Sequence, residues 1–161
     1  MALGCAGPSL AQVEGKIGFV NLDRILRDAA PAQRAQKKIE AEFSKRDQEM
    51  ARLAEQLKRT QEALEKNAMT MSESERRNRE REFAEMNREF QRKQREFRED
   101  LNQRRNEELS GILERANRVV RQIAEAEKFD IIFQEAVFAS PRIDITDKVI
   151  RALDDASPGK K

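Results

Sequence analysis

The sequence predicts an α+β fold, in which a long antiparallel coiled-coil helical hairpin projects from a small β body made by both ends of the chain. Residues 32–128 are dominated by Glu, Arg, Lys, Gln, Asn and Ala, with no proline and no glycine before Gly111. Apolar, strand-like segments at 16–22 and 129–139 bracket this stretch. A helix-forming middle between strand-forming ends predicts an arm on a body.

The composition excludes several classes of function. Of the 161 residues, 39% are charged, and the only aromatic residues are eight phenylalanines. The chain has no histidine, which removes the commonest general base and metal ligand. Its single cysteine, Cys5, cannot form an intrachain disulfide. We therefore expect no enzymatic activity, no cofactor and no metal site.

The first residues have the character of an export signal. Residues 1–15 are small and mildly apolar, and Ser9, Leu10 and Ala11 fit the small-x-small pattern that precedes a signal-peptidase cut. We expect residues 1–11 to be the remnant of a signal peptide, disordered or cleaved. The alternative is an N-terminal segment without function. No apolar run approaches the roughly 20 residues needed to cross a bilayer.

The two ends of the chain carry the predicted body, which we assign to residues 16–30 and 129–155. Residues 16–22 and 129–135 read as strands, and residues 136–139 are predicted to pair with the second of them. Thr146 is predicted to cap a last helix over 147–153. These elements bury too little surface for an independent body, so we expect bodies from several chains to merge. Composition does not determine the order of the oligomer.

The predicted hairpin arm covers residues 31–128 and has a thin apolar seam. Pro31 suits the first turn of its first helix. One row of apolar residues recurs at intervals of seven, and a second row is partly polar: Phe43, Met50, Leu57, Leu64 and Met71, then Ile39, Arg46, Leu53, Thr60 and Asn67. The rows fail near 67–72, where we place the tip. Ser72 and Glu75 fit a capping box for the second helix, and residues 98–111 suggest a bend or a change of packing partner.

These segments resemble the Skp/OmpH-like periplasmic chaperones. The resemblance rests on KIGFVNLDRILR at 16–27, APAQ at 30–33, FDIIF at 129–133 and DITDKVI at 144–150, in this order around a charged hairpin. Family members are trimers whose strands form a β body, with three helical hairpins that enclose a cavity. They hold unfolded outer membrane proteins during periplasmic transit without a nucleotide.

The resemblance implies the partners and the location of the protein. It implies a homotrimer in the periplasm, unfolded outer membrane (β-barrel) proteins as clients, and anionic lipid or lipopolysaccharide as a further partner. The positions that it implies for the trimer body are Ile17, Phe19, Val20, Ile131, Ile132, Phe133, Ile145, Val149 and Ile150.

Two groups of residues on the second predicted helix are candidate contact surfaces. A client-binding group is formed by Phe83, Met86, Phe90 and Phe97. Its members adapt to varied partners, although the alternative is that they only pack against the first helix. A tip basic cluster is formed by Arg76, Arg77, Arg79 and Arg81. Its positive charge could bind acidic segments of a client or anionic lipid headgroups. The alternative is that these arginines only form a solvated face of the helix.

The function that the sequence favours is an ATP-independent holdase chaperone. The alternative is a structural or scaffolding coiled-coil oligomer without client binding. A nucleic-acid-binding coiled coil is disfavoured, because 32 basic residues are interspersed with 30 acidic ones and the net charge is only +2. An enzyme is disfavoured most, since no acid–base pair or ligand cluster is visible.

Overall fold

The chain folds as two units that use different parts of the sequence. The structure, a computed structural model, describes residues 15–156. Its elements are β1 (Ile17–Phe19), α1 (Leu22–Asp28), α2 (Ala30–Asn67), α3 (Glu73–Glu127), β2 (Ile131–Phe133) and α4 (Thr146–Asp155). Residues 15–30 and 114–156 form the terminal unit, and residues 31–113 form the hairpin unit. Long helices with a small sheet confirm the α+β class, whereas the predicted signal remnant at 1–11 lies outside the described residues.

The sheet of the terminal unit joins the two segments that were predicted to be strand-forming. β1 and β2 pair in parallel, with Ile17 opposite Ile131 and Phe19 opposite Phe133. A parallel pair needs a long crossover connection, which the intervening helices supply. Because side chains alternate along a strand, these four residues share one face of the sheet.

The opposite face of the sheet packs closely because β1 has a glycine at its centre. A Cβ atom at Gly18 would lie 3.1 Å from the ring of Phe129 and 3.2 Å from Cγ1 of Ile132. The missing side chain therefore lets both apolar residues close over the strand.

The core of the terminal unit combines both ends of the chain with the last turns of α3. Its buried residues are Val20, Ile25, Ala29, Ala116, Val119, Ile145, Val149 and Leu153. α1 packs against α4, and Ile25 and Val149 are at most 1% exposed. Ala116 and Val119 lie in the segment that was assigned to the arm, so α3 contributes residues to both units.

The prediction of a strand at 136–139 is wrong for the single chain. Residues 134–140 contain no strand, and Val137 and Phe138 are almost fully exposed. A hairpin would have to turn at Gln134 and Glu135, and this pair lacks the glycine or asparagine that two-residue hairpin turns require. The backbone partner of β1 on its other side comes instead from residues 143–145, through a parallel bridge between Phe19 and Asp144.

The start of α4 also differs from the prediction, because Thr146 is not its cap. Thr146 is the first residue of the helix and is completely buried. The Asp144 carboxylate accepts hydrogen bonds from the Thr146 backbone N–H and hydroxyl. The same hydroxyl oxygen accepts a 2.8 Å bond from the backbone N–H of Asn21. Thr146 thus links the two ends of the chain, a role that local sequence does not reveal.

The hairpin unit contains α2 from Pro31 onward and α3 as far as Leu113, joined by residues 68–72. The capping box is confirmed: the Glu75 N–H donates to the Ser72 hydroxyl, and the Glu75 carboxylate accepts from the Ser72 N–H. Across the seam, the rings of Phe43 and Phe97 meet edge to face, with centroids 5.7 Å apart. α3 runs unbroken through Gly111, so residues 98–111 contain no interruption of the helix.

We expect the replacement of Ile25 by Ala to destabilise the protein strongly. Ile25 is 1% exposed in a small core, so the cavity left behind lowers the free energy of unfolding by about 3 kcal/mol. Urea unfolding followed by circular dichroism at fixed protein concentration measures the effect. Leu109→Ala, at a leucine that is 39% exposed, is the control. An equal loss in both variants would contradict the assignment of the core.

A second prediction concerns Lys128, which follows α3 with a φ angle of 57°. The N–H of Phe129 donates to the carbonyl of Ala124, so the helix ends in a Schellman motif whose left-handed residue is a lysine. Lys128→Gly is expected to raise the free energy of unfolding by about 1 kcal/mol, because glycine adopts this conformation without steric cost. Lys128→Ala removes the charge but keeps the strained left-handed conformation. A rise in the free energy of unfolding of that variant would therefore assign the effect to charge.

Candidate functional site

One face of the two-stranded sheet is an apolar surface that the chain itself leaves open. Ile17 is 45% exposed, and Ile131 and Phe133 are each 46% exposed. Phe19, on the same face, is half-buried. We call these four residues the sheet face. Exposed apolar residues that are contiguous and lie on paired strands are typical of an interaction surface.

The positions implied for the trimer body divide into two groups by burial. Val20, Ile145 and Val149 lie in the core of their own chain, at 7% exposure or less. Ile132 and Ile150 are half-buried against that core. Of the positions implied for the trimer body, these five thus pack within one chain, and the other four form the sheet face.

Sequence reasoning missed the exposed loop formed by residues 134–139. The segment was read as a strand because Val137 and Phe138 have strand propensity. The structure instead leaves Phe138 82% exposed and Val137 without shielding. The signal that could have found this loop was its first pair of residues, Gln134 and Glu135, which do not suit a two-residue hairpin turn, together with Pro141 after it.

The client-binding candidates lie along α3 in two settings. Phe83, Met86 and Phe90 are half-buried, so each retains surface that is open to a partner. Phe97 packs edge-on against Phe43 within the seam. All four candidates are therefore half-buried, and Phe97 differs in that its ring also contacts the first helix of the hairpin.

A charged network crosses the hairpin beside the Phe43–Phe97 contact. Arg104 of α3 lies 3.2 Å from Glu42 of α2 and hydrogen-bonds to Glu108 of its own helix, and Lys38 lies 3.6 Å from Glu108. Arg46 and Asp100 form a second cross-helix pair at 2.7 Å. We call these six residues the polar layer: Lys38, Glu42, Arg46, Asp100, Arg104 and Glu108.

The polar layer replaces apolar contacts in the seam. Arg104 continues the seven-residue row of Phe83, Phe90 and Phe97, and this spacing is the signal that could have found it. The Arg46 guanidinium lies 5.5 Å and 5.6 Å from the centroids of Phe43 and Phe97, within cation–π distance. Aromatic and charged residues are thus combined in one contact between the helices.

The polar layer also lowers the pKa of one carboxyl group. Glu108 is 19% exposed and accepts a hydrogen bond from Arg104, which is the largest cause of a pKa below the ordinary value. The charges of Arg104 and Lys38 add to the effect, against the opposing cost of burial. Glu108 is therefore held in its charged form by the hairpin.

The tip arginines are exposed and mostly paired within α3. Arg77 pairs with Glu73, Arg76 lies 3.7 Å from Glu80, and Arg79 lies 3.4 Å from Glu82. Arg81 donates to the side-chain oxygen of Asn78 at 3.3 Å. Local glutamates therefore offset much of the positive charge that the sequence suggested for this cluster.

Comparison with known proteins decides the family. A family model described as "Outer membrane protein (OmpH-like)" matches residues 16–153. The chain belongs to the OmpH-like family. This confirms the resemblance inferred from the strand motifs at the two ends of the sequence.

The fold of this OmpH-like chain is similar to that of a solved structure. A crystal structure from Caulobacter crescentus CB15, named as that of a candidate outer membrane chaperone (OmpH-like), superimposes with a TM-score of 0.75. The two sequences are 18% identical, and the alignment covers 99% of this chain and 94% of the other. No curated protein sequence matches the chain. At this identity the likeness establishes the fold.

Residues 15–156 of this OmpH-like chain contain neither a metal-ligand cluster nor a membrane-spanning helix. Over that range, no three acidic side chains are grouped as a metal ion would require. Among the helices of the same range, none is both long and apolar enough to span a membrane.

We expect the polar layer to contribute stability that depends on pH. Arg104→Gln removes the largest cause of the lowered Glu108 pKa, so the urea midpoint falls at pH 7. Because that pKa is lowered, the contribution is complete above the ordinary value of 4.5 and is lost as the pH falls through the folded-state value. The difference between the variant and the wild type should shrink accordingly.

Arg98→Gln serves as the matched control for this prediction. Arg98 is exposed on the same helix and has no carboxylate within ion-pair distance among the residues that the structure describes. A midpoint difference for Arg104→Gln that equals the control, or that stays constant between pH 7 and pH 3, would refute the role of the network.

Proposed function

We propose that this protein is an ATP-independent periplasmic holdase chaperone, which binds unfolded outer membrane (β-barrel) proteins and prevents their aggregation before membrane insertion. The observation that carries the proposal is the match of an OmpH-like family model over residues 16–153. A related fold in a candidate outer membrane chaperone supports it. The working unit in this proposal is a homotrimer whose hairpins surround the client.

The sheet face supports an assembly of several chains. Ile17, Ile131 and Phe133 each leave nearly half of their surface exposed on a sheet of only two strands. Burying such residues contributes about 1.5–3 kcal/mol per side chain. Copies of the chain that cover one another's sheet faces would therefore gain stability, and several hairpins would then act together.

The apolar residues of α3 support client binding along the hairpin. Phe83, Met86 and Phe90 lie on the continuous helix α3 and are half-buried. Each therefore keeps part of its apolar surface available to a partner. Phenylalanine and methionine tolerate varied partner shapes, which suits the binding of unrelated unfolded chains.

The mechanism that follows is passive. Several weak contacts from neighbouring hairpins give avidity without one tight site. They separate the apolar strands of the client and so block pairing between strand edges, the route to aggregation. Release requires no cofactor in this mechanism when insertion into the membrane is itself favourable.

Anionic lipid or lipopolysaccharide is a subordinate part of the proposal. The tip basic cluster would provide the contact, but Glu73, Glu80 and Glu82 already pair with its arginines. We expect such binding to be weak and to fall as salt is raised.

A direct test of the proposed function is the suppression of aggregation of a urea-denatured β-barrel protein on dilution. Light scattering should stay low with the wild-type chain present and without ATP. A scaffolding coiled coil, the alternative function, would leave the scattering unchanged.

The double variant Phe83→Ser, Phe90→Ser tests the client-binding surface. We expect its affinity for the client to fall about tenfold, because two half-buried apolar contacts are lost while the helix retains its polar pairs. Fluorescence titration with a labelled client measures the change. Leu109→Ser, at an exposed apolar residue of α3 outside this group, is the control. Unchanged affinity in the double variant with full helix content would exclude this surface.

A further inference from the structure

The terminal unit contains a cleft of about 840 Å³ beside the sheet face. Ile17 belongs to both, since it is one of the exposed residues of the sheet face and also lines the cleft. Phe129 and Ile143 add further apolar lining. The cleft is therefore continuous with the surface through which the proposed trimer would assemble.

The charges of the cleft are only partly neutralised within the chain. Its lining includes the basic residues Lys16, Arg142, Lys148 and Arg151. Both lysines pair with Glu127. Among the residues that the structure describes, neither guanidinium of the lining has a carboxylate within ion-pair distance, and Arg151 donates only to a backbone carbonyl, that of Asp147, at 3.2 Å.

The other two acidic residues of the lining pair with an arginine that lies outside the cleft. Asp147 lies 2.6 Å and Asp144 lies 3.8 Å from the guanidinium of Arg24, which is not part of the lining. Two arginines, Arg142 and Arg151, thus face a partly apolar cleft with their charges uncompensated by side chains. A segment that carries one acidic residue and adjacent apolar residues would complement it.

The exposed loop at 134–139 has this composition. Glu135 is exposed and makes no ion pair within the described part of the chain. It is followed by Val137, which is unshielded, and by Phe138, which is 82% exposed. No residue of the loop lines the cleft of its own chain, so within one molecule the two surfaces do not satisfy each other.

We propose that the exposed loop of one copy of this chain inserts into the cleft of the next copy. Glu135 pairs there with Arg142 and Arg151, and Val137 and Phe138 pack on the apolar lining around Ile17. The loop and the cleft are different surfaces, so the contact is heterologous, which is the kind of contact from which a cyclic trimer is built. The inference rests on the assembly in the proposed function and specifies which surfaces form it.

The contact also accounts for the composition of the loop. Residues 136–139 have the propensity of a strand but pair with no strand within residues 15–156. A neighbouring cleft would instead bury the side chains of Val137 and Phe138, and exposed apolar residues of this kind mark a contact surface.

Charge reversal tests the pairing. Glu135→Arg, and separately the double change Arg142→Glu with Arg151→Glu, should each raise the dissociation constant of the oligomer by about tenfold or more. All three changes together should bring it back toward the wild-type value. Sedimentation over a dilution series measures the constants, and circular dichroism checks that helix content is kept.

Exposed charges on α3 within the terminal unit are the controls. Glu125→Arg alters net charge by the same amount as Glu135→Arg, and Arg121→Glu alters it in the same direction as the double change. Both controls lie at residues without an ion pair in the described range, and should leave assembly unchanged. Wild-type assembly of Glu135→Arg, or failure of the combined variant to recover, overturns the proposal. Loss of client binding in Glu135→Arg with intact assembly would assign the cleft to clients and would also overturn it.

Cross-linking tests the geometry of the ring in a Cys5→Ser background. The double variant Phe138→Cys, Ile143→Cys should form disulfides between chains and give a covalent ring under oxidation. Each single variant should remain uncrosslinked, because loop does not meet loop and cleft does not meet cleft. Cross-linking by Phe138→Cys alone would indicate a two-fold contact and overturn the head-to-tail arrangement.

The outcomes separate this inference from the proposed function. If the wild-type chain assembles but does not suppress client aggregation, the proposed chaperone function is wrong. The charge-reversal and cysteine variants then still decide whether the loop contact exists. A wild-type chain that suppresses aggregation while the charge reversals have no effect removes the loop contact alone. A monomeric wild type overturns the inference.

Discussion

The closure of both chain ends around one small core is the constraint on which the terminal unit depends. Ile25 from one end and Val149 from the other pack with Ala116 of α3 and are almost completely buried. The buried hydroxyl of Thr146 and the 2.7 Å bond from the Ala30 N–H to Asp154 tie the same segments together. This core uses residues from both chain ends and from α3, while the sheet face keeps three apolar side chains nearly half exposed.

The hairpin unit also has few apolar residues between its helices, and it combines them with ion pairs. Its seam has one aromatic contact, Phe43 with Phe97, and beside it ion pairs that cross between the helices at Arg46 and Arg104. Ion pairs with this much solvent contact contribute little each, but they specify which residues of the two helices lie opposite. The hairpin can therefore stay in register without a continuous apolar seam, and half-buried residues such as Phe90 keep part of their surface available.

The placement of exposed apolar surface connects these two units with the OmpH-like family. In the terminal unit it lies on the sheet face and the exposed loop, where strand-forming residues have no further strand partner among residues 15–156. In the hairpin unit it is spread along α3 among charged residues. The first arrangement favours a few specific contacts between copies, and the second favours many weak contacts with varied partners.

Much of this fold could be predicted from the sequence, because it depends on interactions between residues that are close along the chain. Some features depend only on near neighbours in the sequence: the helix-forming composition without proline, the capping box at Ser72 and Glu75, and the strand propensity around Ile17 and Ile131. These features could be predicted from the sequence. The family could be recognised from the same segments. The parallel register, the buried role of Thr146, the exposed loop and the polar layer at Arg104 depend on residues far apart in sequence. Only the tertiary structure decided them, because burial and pairing are set by which distant side chains compete for the same small core.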